Sequence, residues 1–308
     1  MHDVIIIGAG PAGLVAGLYC GRFRLSTLIF EKMDIGGQIM LAPVIENFPG
    51  FPNGIPTSDL IGKIKKQVEE VGVPVVMEEV LEIVASKNSG IPVYTVKTDE
   101  DAYEARILII ASGAYSKRLG VSGEDKLIGR GVSYCGTCDA PFFKNKEIVV
   151  IGGGDRAIEE AIFLTSYASR VTLVHRRQEF RASKILEEKA RANPKMNFKL
   201  DSIVEEITGN DKVEGIKIKN VLTQAAEIYP CQGVFIFVGI KPNTDFVKNL
   251  LRLDESGFII TDQDMKASLA GVYACGDCRK KNLYQVVNAC GEAAQAADSA
   301  HKYLLNLK

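Results

Sequence analysis

The residues in this chain best suited to covalent chemistry are two cysteine pairs of the form C-x-x-C, Cys135/Cys138 and Cys275/Cys278. Two intervening residues allow a small disulfide ring, commonly at a helix N-terminus, where the helix dipole favours the reactive thiolate. The first pair lies in Gly131-Val-Ser-Tyr-Cys135-Gly-Thr-Cys138-Asp139-Ala-Pro, so Asp139 is placed to move protons during thiol exchange. The same spacing also suits half of a zinc site, which needs four N or S ligands and which the second pair would complete. The other cysteines, Cys20, Cys231 and Cys290, have apolar or small neighbours and read as buried, inert thiols.

A second kind of chemistry is written in glycines. Residues 4–17 read VIIIGAGPAGLVAG and residues 148–161 read IVVIGGGDRAIEEA, a weak internal duplication. Each copy is a β-branched run feeding a glycine cluster that opens a helical pattern. A further β-branched run follows each, at 26–30 and at 170–174. The pattern predicts strand, tight turn, helix and parallel strand, twice over. Gly8 allows the turn, Gly10 lets the backbone approach a pyrophosphate, and Gly13 lets helix pack on strand. Gly152 and Gly154 repeat the first two roles, and Ala157 stands in the third. In such a turn the pyrophosphate rests on free N–H groups at a helix N-terminus.

The ends of the second strands separate the two sites. The first ends in Phe30-Glu31-Lys32, where a carboxylate accepts hydrogen bonds from ribose hydroxyls and repels a 2′-phosphate. The second ends in His175-Arg176-Arg177, with Arg181 close behind, and guanidinium groups there can grip a 2′-phosphate. The first site is therefore expected to hold FAD or NAD and the second NADP. Two nucleotide sites in one chain imply an electron relay, one cofactor delivering hydride and a flavin receiving it.

These elements need about two domains, which 308 residues supply. Lys+Arg is 37 and Asp+Glu is 38, and the net charge of -1 argues against general nucleic-acid affinity. No apolar run approaches the ~20 residues of a membrane span. The start, Met-His-Asp running into Val4, has no basic region, apolar stretch and cleavage site, so no signal peptide and a cytoplasmic location are expected. Seven cysteines are too few and too odd for a secreted disulfide scaffold.

Further motifs join these: GGQ at 36–38, ENFPG at 46–50, ASGA at 111–114 and GVYACGDC at 271–278. With GAGPAG at 8–13, CGTCD at 135–139, GGGDRA at 152–157 and HRRQEFRA at 175–182, the chain resembles the low-molecular-weight, prokaryotic-type thioredoxin reductases over essentially its whole length. The resemblance implies an α/β fold of two Rossmann-like, three-layer ββα nucleotide-binding domains, the second inserted in the first. The FAD domain would comprise residues 1–114 and 245–308, the NADPH domain residues 115–244 carrying the dithiol, with hinges near 113–117 and 241–244. Gly8, Gly10, Ala12, Glu31, Gly37, Gln38 and Asn47 would contact FAD. Asp277 would bond its ribityl or phosphate end, Gly276 would permit close approach, and Gln285 and Val286 would lie near the isoalloxazine. Gly154, Asp155, Arg156, Arg176, Arg177 and Arg181 would hold NADPH. Cys138 would receive electrons from the flavin, Cys135 would attack a thioredoxin-like or glutaredoxin-like disulfide, and Asp139 would act as general acid. The family implies a homodimer, two alternating domain orientations and no metal.

The chain also departs from that pattern. Gly136-Thr137 stands between the cysteines where Ala-Thr is usual, Ala140-Pro141 follows Asp139 where glycine is usual, Arg156 replaces Ser or Thr, and Tyr284 replaces a frequent arginine. Cys275 and Cys278 flank Gly276-Asp277, and they are expected to be small buried thiols rather than a second redox pair. Competing readings are reduced ferredoxin as donor, a ferredoxin–NADP reductase of related fold, a flavin dithiol oxidase and a zinc-clamped binding module.

Overall fold

Every apolar strand that feeds a glycine turn is buried on both faces, and each buries them between the same two kinds of layer. In the strand His2–Ile7, Val4 and Ile6 join one core while Ile5 and Ile7 join another. The structure, a computed structural model, describes residues 1–41, 44–45, 47–88, 91–134 and 136–307, with only the backbone described at Leu41, Asn88, Thr137 and Cys138. It divides into two compact units, Met1–Tyr115 with Lys241–Lys308, and Ser116–Ile240.

In the first unit five strands run parallel in the order Val75–Met77, Thr27–Glu31, His2–Ile7, Ala102–Ile110, Val272–Ala274. The near-continuous Val/Ile/Leu runs are what a sheet covered on both faces requires. Ala102–Ile110 also pairs antiparallel with Ile91–Thr98, which pairs with Val80–Asn88. This antiparallel ribbon contributes Ile83, Tyr94 and Val96 to one core layer. The helices Pro11–Arg22, Thr57–Glu70 and Val286–Leu305 cover the other, through Leu14, Ala16 and Cys20, then Ile64 and Val68, then Ala293, Ala296 and Ala297.

The second unit repeats the plan. Its five parallel strands run in the order Val132–Ser133, Gly233–Phe237, Glu147–Gly152, Arg170–Val174, Met196–Lys199. One face packs on the helix Asp155–Leu164 through Ala157, Ile158, Ala161 and Leu164. The other packs on an antiparallel sheet of Ser202–Thr208, Gly215–Asn220 and Ala226–Pro230, whose Val204, Ile216 and Ile218 meet Val149 and Ile151. The duplication expected from the glycine clusters thus extends to the whole three-layer design. The unit begins and ends at one point, where Lys117 N donates to Gly239 O at 2.9 Å.

Among the described residues no helix is long and apolar enough to cross a membrane. One core expectation is corrected. Cys20 and Cys231 are buried, but Cys290 is only half-buried. The inward stripe of its helix runs through Ala289, Ala293, Ala296, Ala297, Ala300 and Leu304. Cys290 falls beside that 3.6-residue stripe rather than on it.

Candidate functional site

The first candidate site forms where three parallel strands of the first unit end. Gly8 follows the strand His2–Ile7 with φ +107°, and a Cβ there would lie 2.4 Å from Ala111 O, so no side chain fits. At Gly13 a Cβ would lie 1.7 Å from Gly8 O, which is the close helix-on-strand packing expected of it. Gly10 is different: a Cβ would meet only Gly36 O, at 3.8 Å. It is the N-cap of the helix Pro11–Arg22, and no side chain caps that end. The first-turn amides of such a helix need an acceptor, and a diphosphate is the usual one.

The neighbours close around this turn. Gly37 approaches Gly10, since a Cβ on Gly37 would sit 3.3 Å from Gly10 Cα. The backbone holds the loop there through Gly36 N to Ala9 O at 2.9 Å, and Gln38 is half-buried in the 3-10 turn Gly37–Leu41. Gly276, at φ +73°, turns beside Ala12, leaving 2.8 Å between a built Cβ and the Ala12 Cβ. Glu31 is fixed at its strand end: Oε2 accepts from Ala9 N at 2.8 Å, and Oε1 accepts from Lys32 N and Met33 N at 2.9 and 3.1 Å. Asn47 and Gln285 are hydrogen-bonded to each other, and Val286 opens the helix Val286–Leu305. Glu46 of the ENFPG motif lies outside the described residues. Gly8, Gly10, Ala12, Glu31, Gly37 and Gly276 thus gather around one uncapped, glycine-lined turn, while Asn47 and Gln285 pair with each other. They fit the group.

Three residues that sequence reasoning missed support this cradle. Glu292 is 7% exposed. Its Oε2 accepts the Gly276 N–H at 2.9 Å, and its Oε1 accepts Arg279 Nη1 at 2.6 Å and Asn288 Nδ2 at 3.0 Å. Lys281, its side chain 4% exposed, lies 3.4 Å from Glu292 Oε2 and 3.0 Å from Asp277 Oδ1. The turn that presents Asp277 is thus bound to the long helix by a buried charge cluster. The available signal was a lone carboxylate in an alanine-rich helix, CGEAAQAA at 290–297. Cys275 and Cys278 flank the same turn at 0% exposure. Cys278 Sγ donates toward Ile110 O at 3.3 Å. Burial raises both thiols, Cys278 to about 11 and Cys275 well above the usual thiol value, so both stay protonated. They are the small buried thiols expected.

The second candidate site repeats the first with different charges. Gly154, N-cap of Asp155–Leu164, has no side-chain cap and no atom within 4 Å of where a Cβ would sit. Gly152 makes room for Ala157, whose Cβ would be 2.5 Å from a Cβ built on it. The His175 ring packs against Gly153, 2.3 Å from a built Cβ. Its pKa is lowered by burial first and then by the charges of Arg181, Arg176 and Arg177, against the opposing effect of the Glu179 carbonyl. The Asp155 carboxylate accepts Ser183 N at 2.7 Å and ties the turn to the arginine loop. Arg156 sits with its guanidinium 5.5 Å from the Phe237 ring centre. Arg176, Arg177 and Arg181 are exposed, and among the described residues none has an acidic partner. Unpaired guanidinium groups beside an open glycine turn fit a phosphorylated dinucleotide.

Cys135 and the Cys138 side chain lie outside the described residues, and the residues that flank them belong to the second unit. The short helix Gly136–Asp139 begins immediately after Cys135, as the motif predicts, and a 3-10 turn Ala140–Phe143 follows Asp139. Tyr134, just before it, donates its hydroxyl to Glu124 Oε1 and accepts Arg118 Nη1 at 3.0 Å. Glu124 is 2% exposed, and its Oε1 and Oε2 also accept Leu119 N and Gly120 N at 2.8 and 2.6 Å. Burial alone would raise Glu124, but Tyr134 and the Leu119, Gly120 and Val121 amides bring it below the usual carboxylate range.

Comparison with known proteins agrees with this geometry. A family model described as pyridine nucleotide-disulphide oxidoreductase matches residues 2–293. The chain is 44% identical over 309 residues to a thioredoxin reductase of Listeria monocytogenes, covering 100% of this chain and 95% of the relative. The crystal structure of Lactococcus lactis thioredoxin reductase superposes with a TM-score of 0.91 at 39% identity, covering 99% of this chain and 100% of that one. A Streptococcus pyogenes thioredoxin reductase gives a TM-score of 0.70 at 44% identity, with 99% of each chain covered.

Proposed function

The chain belongs to the pyridine nucleotide-disulphide oxidoreductases, within their low-molecular-weight thioredoxin reductases, and from that premise we propose that it carries electrons from NADPH to the disulfide of a thioredoxin-like protein. Its family works with FAD and NADPH. Bound FAD supplies a two-electron relay between a nicotinamide and a disulfide. The first unit would hold it at Gly8, Gly10, Ala12, Glu31, Gly37, Gln38, Asn47, Gly276, Asp277, Gln285 and Val286. The second would hold NADPH at Gly154, Asp155, Arg156, Arg176, Arg177 and Arg181. The observation that carries the reading is the trio of exposed arginines, without acidic partners among the described residues, in the same unit as the helix Gly136–Asp139.

The chain's own thiols then do the exchange. The Cys135 thiolate attacks one sulfur of the partner disulfide, and the other leaves as a thiolate that Asp139 protonates. Cys138 attacks the Cys135 sulfur of the mixed disulfide, releases the second partner thiol and closes the Cys135–Cys138 disulfide. The partner gains two electrons and the pair loses two, which NADPH restores. We place the enzyme in the cytoplasm as a homodimer.

An anaerobic NADPH titration of the flavoprotein alone, followed by addition of oxidised thioredoxin to draw the electrons off again, tests this. Bleaching of the flavin with about four electrons per subunit, one pair for FAD and one for the dithiol, is the expected result. A flavin that dithionite reduces and NADPH does not would overturn it and direct the search to a donor such as reduced ferredoxin.

A further inference from the structure

The helix that opens the second dinucleotide turn also reaches the dithiol helix, through a carboxyl that the reaction above does not use. Glu160 lies on Asp155–Leu164, which packs against Gly136–Asp139 within one unit. Its Oε2 is buried and has no hydrogen-bond partner among the described residues. A Cβ built on Gly136 would lie 2.1 Å from that oxygen. The carboxyl therefore fills the hollow left by the missing side chain, at the residue where this chain carries glycine between its cysteines instead of alanine. Gly136 is bonded directly to Cys135, so the carboxyl lies against the residue next to the nucleophile in the chain.

A carboxyl with a buried oxygen in that position is electrically consequential. A thiol reacts as the thiolate, and a nearby negative charge opposes its formation. We propose that Glu160 is a positioning residue for the dithiol, its charge setting how readily Cys135 ionises. The inference rests on reading Cys135/Cys138 as the redox pair. Burial is the chief influence on Glu160 and raises its pKa; Glu159 raises it further, while Arg156 and the Gly136 amide lower it. Arg156 and Glu159 come from its own helix. The dithiol helix contributes the Gly136 amide. Glu160 thus titrates above the ordinary carboxylate range, and a change in its charge reaches the thiol as a second pH dependence.

The test uses the full-length flavoprotein, reduced, with Cys135 alkylation by iodoacetamide followed by mass spectrometry across pH. In the native chain the rate should show two inflections, one from the thiol and a lower one from Glu160. Glu160→Gln should erase the lower inflection and raise the rate at neutral pH by about threefold to tenfold, through loss of one like charge. Glu160→Asp should keep the lower inflection. Gly136→Ala is a second route, because the added methyl must displace the carboxyl end while making only an ordinary contact with Leu164, and its profile should move toward that of Glu160→Gln. Superimposable native and Glu160→Gln profiles, or equal shifts for Gln and Asp, would overturn the inference while leaving the electron route intact wherever NADPH still reduces the pair. A Cys135 that NADPH cannot reduce and iodoacetamide cannot reach would sink both readings together.

Discussion

Asn47 Nδ2 donates to Gln285 Oε1 at 2.9 Å, joining two residues 238 positions apart. The bond ties the loop after the Gly37–Leu41 turn to the start of the helix Val286–Leu305. Asn47→Ala should remove about 1 kcal/mol of support from that junction, roughly a fivefold weaker hold on FAD before any direct contact is counted. Flavin fluorescence on dilution reads the loss, and unchanged retention in both Asn47→Ala and Gln285→Ala would contradict it.

The three arginines of the second unit make a sharper case. Arg176→Ala, Arg177→Ala and Arg181→Ala should each raise KM for NADPH by about tenfold, from one lost charge-assisted contact, with kcat nearly constant. KM for NADH should stay put, since it lacks the 2′-phosphate. A parallel rise for both nucleotides would mean that the arginines serve the fold rather than the phosphate.

Glu292 carries the largest stability effect expected here. Glu292→Gln leaves Arg279 and Lys281 without their shared buried counter-charge. Breaking a buried pair in this way costs about 3–5 kcal/mol, visible as a lower urea midpoint. A shift below about 1 kcal/mol would place the cluster with weak surface pairs.

Buried Glu124 and half-buried Glu160 should respond to pH with opposite signs. Glu124 titrates below its unfolded value, so its contribution is present above that value and is lost as pH falls through the folded one. Glu160 titrates above its unfolded value, so its contribution is present at low pH and is lost as pH rises through the folded one. Urea midpoints across pH 2–8 for Glu124→Gln should lose the acid-side fall, and those for Glu160→Gln the fall at higher pH. The same variant showing both changes, or neither, would refute the assignment.

Cys275 and Cys278 should be silent in redox chemistry. The double alanine variant should take up the same number of electrons from NADPH as the native chain. In the folded native protein both thiols should resist alkylation, because burial keeps them protonated and enclosed. An uptake lower by two electrons in the variant would make them a second redox pair.

What could be read from sequence was local. The glycine turns, their strands and the arginine loop are contiguous signals, because each role depends on neighbours a few residues away. Glu292, Glu124 and Glu160 were not read, since a carboxylate on a helix looks solvated until its distant partners are known. Glu292 needs Gly276, Glu124 needs Tyr134, and Glu160 needs Gly136. Cys290 misled for a related reason: apolar neighbours in sequence do not say which side of a helix faces inward.

The hydrogen bond from Lys117 N to Gly239 O means that the second unit enters and leaves the chain through a single doorway. A host strand need only be opened at one place to receive such a guest, and the guest's size does not stretch it. Residues 116–240, with their own sheet and two cores, should therefore survive as a free-standing module that still binds NADP when cut out at that point. The same closure makes the unit a candidate for circular permutation, in which 116 and 240 are joined and new ends opened elsewhere.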